Sequence, residues 1–275
     1  DPDDLASWES IRVCARDCRA WEPLVEACDR LAHLVEDEEL QVLLLEESAA
    51  VLMDELGQDE RAERRLRRVL AVDGQRPTAY GRLHDLLAER EDDSGLLELV
   101  SARIERVDDV EELSKLFYEQ ARLLRSLGLR EEALGALDNL LMLEAGHVSG
   151  LALLVELQVA QENWAGAVEA LRALAAAEDV PDSQRRIARL GAADFLENKL
   201  EDPEGAHAEL DALREQGLAN REIHERTASL AVRLERFDDA VASLERAVAA
   251  TSSPASVAKI ERRAGAVHAE RRGDT

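Results

Sequence analysis

DERAERRLRRVL, residues 59–70, places a small residue one turn into a helix that opens on acidic residues, then runs an apolar stripe: Ala62, Leu66, Val69, Leu70. Steps of three and four put these side chains on one face of an α-helix. The phrase returns as REEALGALDNLL (130–141), WAGAVEALRALA (164–175), PEGAHAELDALR (203–214) and FDDAVASLERAV (237–248). Its small residue recurs as Ala62, Ala133, Ala167, Ala206 and Ala240, and Leu24 and Leu96 hold the same place in WEPLVEACDRLA (21–32) and DSGLLELVSARI (93–104). In chain order the seven positions are spaced by 38, 34, 37, 34, 39 and 34 residues.

A second amphipathic segment precedes each phrase, as in QVLLLEESAAVLMDEL (41–56) and LSKLFYEQARLLRSL (113–127). Breakers stand at the joints: Gly57, Pro77, Gly128, Gly146, Pro181, Pro203 and Pro254. Asp202-Pro203 suits an N-cap followed by Pro in the first helical position. The unit is therefore an antiparallel helix hairpin. One hairpin cannot cover its own apolar face, but stacked neighbours can, so the expected fold is an all-α solenoid of about seven and a half hairpins. The expected repeats lie near 5–40, 43–76, 77–110, 114–147, 148–182, 186–219 and 221–254, with a half repeat or capping helix over 255–275, all in one domain spanning 1–275. The repeat near Arg186 fits with a one-residue slip around Asp202.

A longer rhythm overlies the first. Ala62, Ala133 and Ala206 are 71 and 73 apart; Leu24, Leu96, Ala167 and Ala240 are 72, 71 and 73 apart. The second set carries an aromatic three residues earlier (Trp21, Trp164, Phe237), and Asp93 is the exception. Turns of the first set are marked by Gly57, Gly128 and Glu201, which places the next near 273, where Gly273-Asp274 stands. On this reading the chain is an excerpt of a longer bacterial repeat array, cut after the first helix of an eighth repeat. The alternative is a capping helix over 255–272.

Composition agrees with helices: 46% of residues are apolar, mostly Ala and Leu, and only 3% are aromatic. A formal net charge of −25 disfavours binding to a phosphate backbone and favours a partner of basic character. No apolar run is long enough to span a membrane and no signal peptide is visible, so a cytoplasmic chain is expected.

The hairpins resemble the tetratricopeptide repeat, whose pattern is W-x2-L-G-x2-Y, then A-x3-F, then Pro. The first-helix positions read Trp8, Ile11, Arg12, Ala15; Glu46, Ala49, Ala50, Met53; Tyr80, Leu83, His84, Leu87; Phe117, Gln120, Ala121, Leu124; Leu151, Leu154, Val155, Gln158; and His224, Thr227, Ala228, Ala231. The small residue of the pattern is kept at Ala50, Ala121 and Ala228 and replaced at Arg12, His84 and Val155. The resemblance covers essentially the whole chain and implies a right-handed superhelix with a concave groove. It implies that Leu44, Glu47, Val51 and Asp54 line that groove, followed by Thr78, Gly81, Asp85 and Ala88. Lys115, Tyr118, Arg122 and Arg125 make a basic, aromatic stretch; Ser149, Ala152, Glu156 and Val159, then Glu222, Glu225, Ser229 and Val232, complete the series. The Lys/Asn set with which some family members clamp a peptide carboxylate is absent.

The implied function is a non-enzymatic scaffold that holds a peptide or partner protein. The alternative is a regulatory or spacer segment of a longer protein whose catalytic domain lies elsewhere. Cys14, Cys18, Cys28 and His33 match no common zinc spacing. In the repeat register all three cysteines fall on core positions, where a thiol behaves as a small hydrophobe. The six histidines are scattered, with no HExxH; no nucleophile elbow, phosphate loop or dinucleotide fingerprint occurs, and no catalytic residue, metal or cofactor is expected. Trp8, Trp21 and Trp164 are read as packing residues. His84 stands where the pattern wants a small side chain and is expected to widen the packing there.

Overall fold

The computed structural model describes residues 4–272, and among them every regular element is an α-helix. The first helices of successive pairs are α1 (Leu5–Asp17), α3 (Glu38–Asp54), α5 (Pro77–Glu89), α7 (Val110–Ser126), α9 (Val148–Ala160), α11 (Asp182–Asn198) and α13 (Arg221–Arg233). Their partners are α2 (Trp21–Leu34), α4 (Asp59–Val72), α6 (Asp93–Ile104), α8 (Arg130–Leu143), α10 (Trp164–Ala176), α12 (Pro203–Glu215) and α14 (Phe237–Ala249). A fifteenth helix, α15 (Pro254–Arg272), follows as a half hairpin. Gly273-Asp274, on which the excerpt reading turns, lies outside the described residues.

The register found in the sequence is the register of the core. Ala62, Ala133, Ala167, Ala206 and Ala240 are all fully buried, and Leu24 and Leu96 are nearly so. A small residue here lets two helix backbones come close, and the leucines one turn on, Leu66, Leu137, Leu210 and Leu244, fill the space beside it. Each such leucine contributes about 1.5–3 kcal/mol by leaving water.

The two-hairpin rhythm appears as an alternation of helix length. α1, α5, α9 and α13 have 13 residues, whereas α3, α7 and α11 have 17. α3 and α7 open on aspartate N-caps, Asp37 and Asp109, which accept from backbone N–H groups one turn on.

Every turn inside a hairpin holds one residue in the left-handed region: Arg19, Gly57, Glu91, Gly128, Glu162, Glu201 and Glu235. Their spacings are 38, 34, 37, 34, 39 and 34, the same series as the core positions. Most of these turns close with a backbone bond five residues back, such as Ala20 N–H to the Ala15 carbonyl at 2.8 Å. Two close six residues back, Gln58 to Leu52 and Asp202 to Leu196, each at 2.8 Å. That extra residue is the slip expected around Asp202. Asp202 also caps α12, accepting from Gly205 N–H at 2.8 Å with Pro203 in the first turn.

The described chain divides into two compact units, one ending at Ala136 and one beginning at Leu137. The first is built around Leu24, Leu45, Leu52, Leu66 and Leu83, with Trp8 and Trp21 packed against its edge. The second has a cluster around Ala192, Leu210 and Leu213, and a further one around Leu244, Ile260 and Val267. In the second unit Trp164 packs against Phe195 with the rings tilted by 46° and their centres 5.3 Å apart, and the Lys199 ammonium lies 4.7 Å from the indole centre. The tryptophans are packing residues.

Cysteine placement departs from expectation. Cys28 is buried, but Cys14 and Cys18 are exposed. Repeat register names the position that faces a preceding hairpin. Among the described residues α1 has no such neighbour, so Ile11 and Val13 are exposed on it as well.

One buried charge stands out. Glu209 on α12 is 3% exposed and is gripped by Arg172 Nε and Arg189 Nη1, each at 2.6 Å. The carboxylate ties α10, α11 and α12 together.

Candidate interaction faces

The positions expected to line a groove fall partly in the first unit and partly in the second. In the first unit Leu44 and Val51 are buried in the core. Glu47 accepts from Arg12 Nη1 at 2.7 Å and Arg16 Nε at 2.9 Å, so this carboxylate is engaged by α1. The Glu9 and Glu47 carboxylates hold the Arg12 guanidinium above its ordinary pKa, against the opposing effect of burial. Asp54 is exposed and lies 3.5 Å from Arg82 of α5. Asp85 is 80% exposed. On α7, Lys115 pairs with Glu111 one turn back at 2.6 Å, which raises its pKa.

Tyr118, Arg122 and Arg125 are three and four residues apart on α7, so they share a face. Tyr118 is half-buried; Arg122 and Arg125 are exposed. Arg122 has no hydrogen-bond or ion-pair partner among the described residues. The two arginines border a depression of about 320 Å³ between α5, α6 and α7, whose lining also carries His84, Ala88, Leu96 and the acids Glu91 and Glu119. Asp93, which breaks the aromatic series, reaches this depression and accepts from the Ser126 hydroxyl.

In the second unit Glu156 and Glu222 are exposed and Glu225 is half-buried. Arg221 lies 3.2 Å from Glu225 and 3.8 Å from Glu222. The His224 imidazole beside them is pushed to a lower pKa by burial and by Arg246 and Arg214. No three His, Cys, Asp or Glu side chains converge as a metal site would require among the described residues, and no described helix is long and apolar enough to cross a membrane.

Sequence reasoning missed how the irregular positions are used. Arg12 and His84 replace a small residue, and both reach the next first helix, Arg12 to Glu47 and His84 to Glu119. The available signal was their spacing: 12 and 84 are 72 apart, as are 47 and 119. It also missed a cavity of about 280 Å³ between α4, α5 and α6. α5 and α6 pack less closely than the hairpins α1/α2, α3/α4, α9/α10, α11/α12 and α13/α14.

No family model matches the chain, and no curated protein matches it. Solved structures do. A tetratricopeptide repeat protein from Parabacteroides merdae is 13% identical, with a TM-score of 0.38 over 93% of this chain and 96% of that one. YrrB, described as a TPR protein with an unusual peptide-binding site, is 17% identical with a TM-score of 0.42, covering 71% and 92%. A thermophilic TPR protein of Thermus thermophilus is 22% identical with a TM-score of 0.31, covering 68% and 95%. These superpositions are loose, and the architecture of this chain, an all-helical array of repeated hairpins, rests on its own helices and turns.

Proposed function

We propose that the chain is a non-enzymatic interaction scaffold. In the first unit, the face shared by α3, α5 and α7 receives an extended or helical segment of another protein. The observation that carries this reading is Arg122. It is exposed, without a partner of its own among the described residues, and borders a depression together with Arg125, one helical turn on from Tyr118, in a chain whose charge is otherwise heavily negative. An aromatic residue one turn from an unpaired arginine offers the apolar contact and the directional charge that recur at binding surfaces.

An acidic or carbonyl-bearing position of the bound segment sits at Arg122, and basic positions are drawn to Asp54 and Asp85. The exposed acids Glu156 and Glu222 of the second unit, with the half-buried Glu225, give that unit the same preference for basic partners. Among the described residues no converging set of titratable groups with reversed protonation supports chemistry on a substrate.

The test is selection of peptides from a displayed random library on the whole chain, followed by titration against the Tyr118→Ala/Arg122→Ala double variant. Binding weaker by roughly tenfold or more supports the face. Equal binding by a variant of unchanged helicity discards it.

A further inference from the structure

The second helices α2, α6, α10 and α14 open on Trp21, Asp93, Trp164 and Phe237, spaced by 72, 71 and 73 residues. The three aromatic members all pack inward. Trp21 lies against the core of the first unit, and Phe237 against the cluster that holds Leu244 and Ile260. Trp164 meets Phe195 of α11, the next first helix. Phe195 stands three residues before the end of α11, and Leu123 stands three residues before the end of α7.

The depression of about 320 Å³ lies where the series breaks. Asp93 and Leu123, the counterparts of Trp164 and Phe195, are both in its lining, with Ala88 and Leu96 beside them. Aspartate in place of an aromatic ring leaves that ring's volume unfilled, whereas protein interiors are otherwise closely packed. For scale, a cavity of about 150 Å³ accepts benzene, so this space admits a bicyclic ring. Two of its acids are engaged, Glu119 by His84 and Asp93 by the Ser126 hydroxyl, and the third, Glu91, is exposed in the turn before α6. Arg122 has no partner among the described residues.

We propose that this depression receives a tryptophan side chain of the bound segment, in the place that Trp164 fills from within the second unit. The inference rests on the scaffold reading and names what the segment carries, a tryptophan next to an acidic residue. The indole lies on Ala88, Leu96 and Leu123, and the acidic residue meets Arg122. A buried indole N–H needs an acceptor, and the Asp93 carboxylate in the lining supplies one, which favours tryptophan over phenylalanine. A large aromatic anchor in a pocket with an arginine beside it has the make-up of an interface hot spot.

The experiment titrates the whole chain with acetyl-Trp-Glu-amide and with acetyl-Leu-Glu-amide, following the Leu96 and Leu123 methyl signals by NMR. Saturable binding of the tryptophan peptide is expected, tighter than that of the leucine peptide by roughly fivefold or more. Asp93→Trp supplies the ring from α6, and Ala88→Trp, at an exposed residue, supplies it from α5. Each is expected to abolish binding at unchanged helicity. Absence of saturable binding by the wild-type chain, equal affinity for the two peptides, or binding that survives either substitution in a folded variant overturns the pocket. Peptides selected from the random library separate this failure from failure of the scaffold. Those that lose affinity on Tyr118→Ala/Arg122→Ala but bind Asp93→Trp as tightly as the wild type keep the α7 face and overturn the pocket. Those that carry tryptophan and lose affinity on both changes support both.

Discussion

The ring Nε2 of His84 on α5 lies 2.6 Å from Oε1 of Glu119 on α7, 35 residues along the chain. Arg12 and Glu47 repeat that relationship between α1 and α3 at the same separation in sequence. One quartet further on, in the second unit, Val155 and Leu190 occupy the corresponding places and both pack against the apolar core. A single position in the repeat thus serves as a polar clasp or as a hydrophobic contact. The choice depends on what the next first helix presents.

The clasp should register as pairwise coupling. A double-mutant cycle of His84→Ala and Glu119→Ala is expected to show about 0.5–1 kcal/mol, the range for a partly exposed polar pair. Urea unfolding of the four proteins measures it. A coupling indistinguishable from zero means the contact is incidental.

The left-handed turns predict opposite responses to opposite changes. Glu91 and Glu235 hold positive φ with a side chain, a backbone conformation that costs about 1–2 kcal/mol outside glycine. Glu91→Gly and Glu235→Gly should each stabilise the chain by up to about 1 kcal/mol. Gly57 sits at φ +60 with open space where a Cβ would stand, so Gly57→Ala should destabilise by about 1 kcal/mol through the backbone alone. Identical midpoints in denaturant for all these variants would refute the turn assignment.

Glu46 makes stability depend on acid. Burial raises the pKa of its carboxyl, but bonds from Arg76 Nη2 at 2.8 Å and from the Thr78 hydroxyl outweigh this and leave it below the ordinary value. The folded chain therefore holds this proton less tightly than the unfolded chain does. The stabilisation is complete above the unfolded carboxylate pKa of about 4.3 and is lost as pH falls through the lower, folded value. Melting temperature should fall more steeply with acidification in the wild type than in Glu46→Gln. Parallel curves would contradict the assignment.

Removing Glu209 should be the most damaging of these changes. Glu209→Ala leaves Arg172 and Arg189 without their shared acceptor, the latter largely buried, and a cost of about 3 kcal/mol is expected. Glu209→Met, which fills the volume but not the charge, should recover little unless Arg189 is also replaced by an apolar residue. Urea unfolding of both variants checks this. A loss below about 1 kcal/mol would show that the two arginines find water.

Much of the fold was legible because its signals are local. The alanine register reports which side of a helix is buried. The turn spacing follows it step for step, since one left-handed residue must fall between the two helices of each hairpin. Cys14 and Cys18 were misplaced for a related reason. Register tells which face a residue occupies, whereas burial depends on whether another hairpin lies against that face. The candidate groove was legible only as positions. Leu44 and Val51 are swallowed by the core and Glu47 is engaged by Arg12, because the neighbouring helices sit closer than repeat counting reveals.

The sequence by itself determined the helices, their pairing into hairpins and the two-hairpin period. Those follow from contacts three and four residues apart and from backbone conformation at single turn residues. Only the tertiary structure decided which charged groups are spent on one another, where Asp93 and His84 come together with Arg122, and that Arg103 lies over the ring of Tyr80 in the wall of a cavity. Such outcomes depend on distances between helices, and side chains from several segments set those distances together.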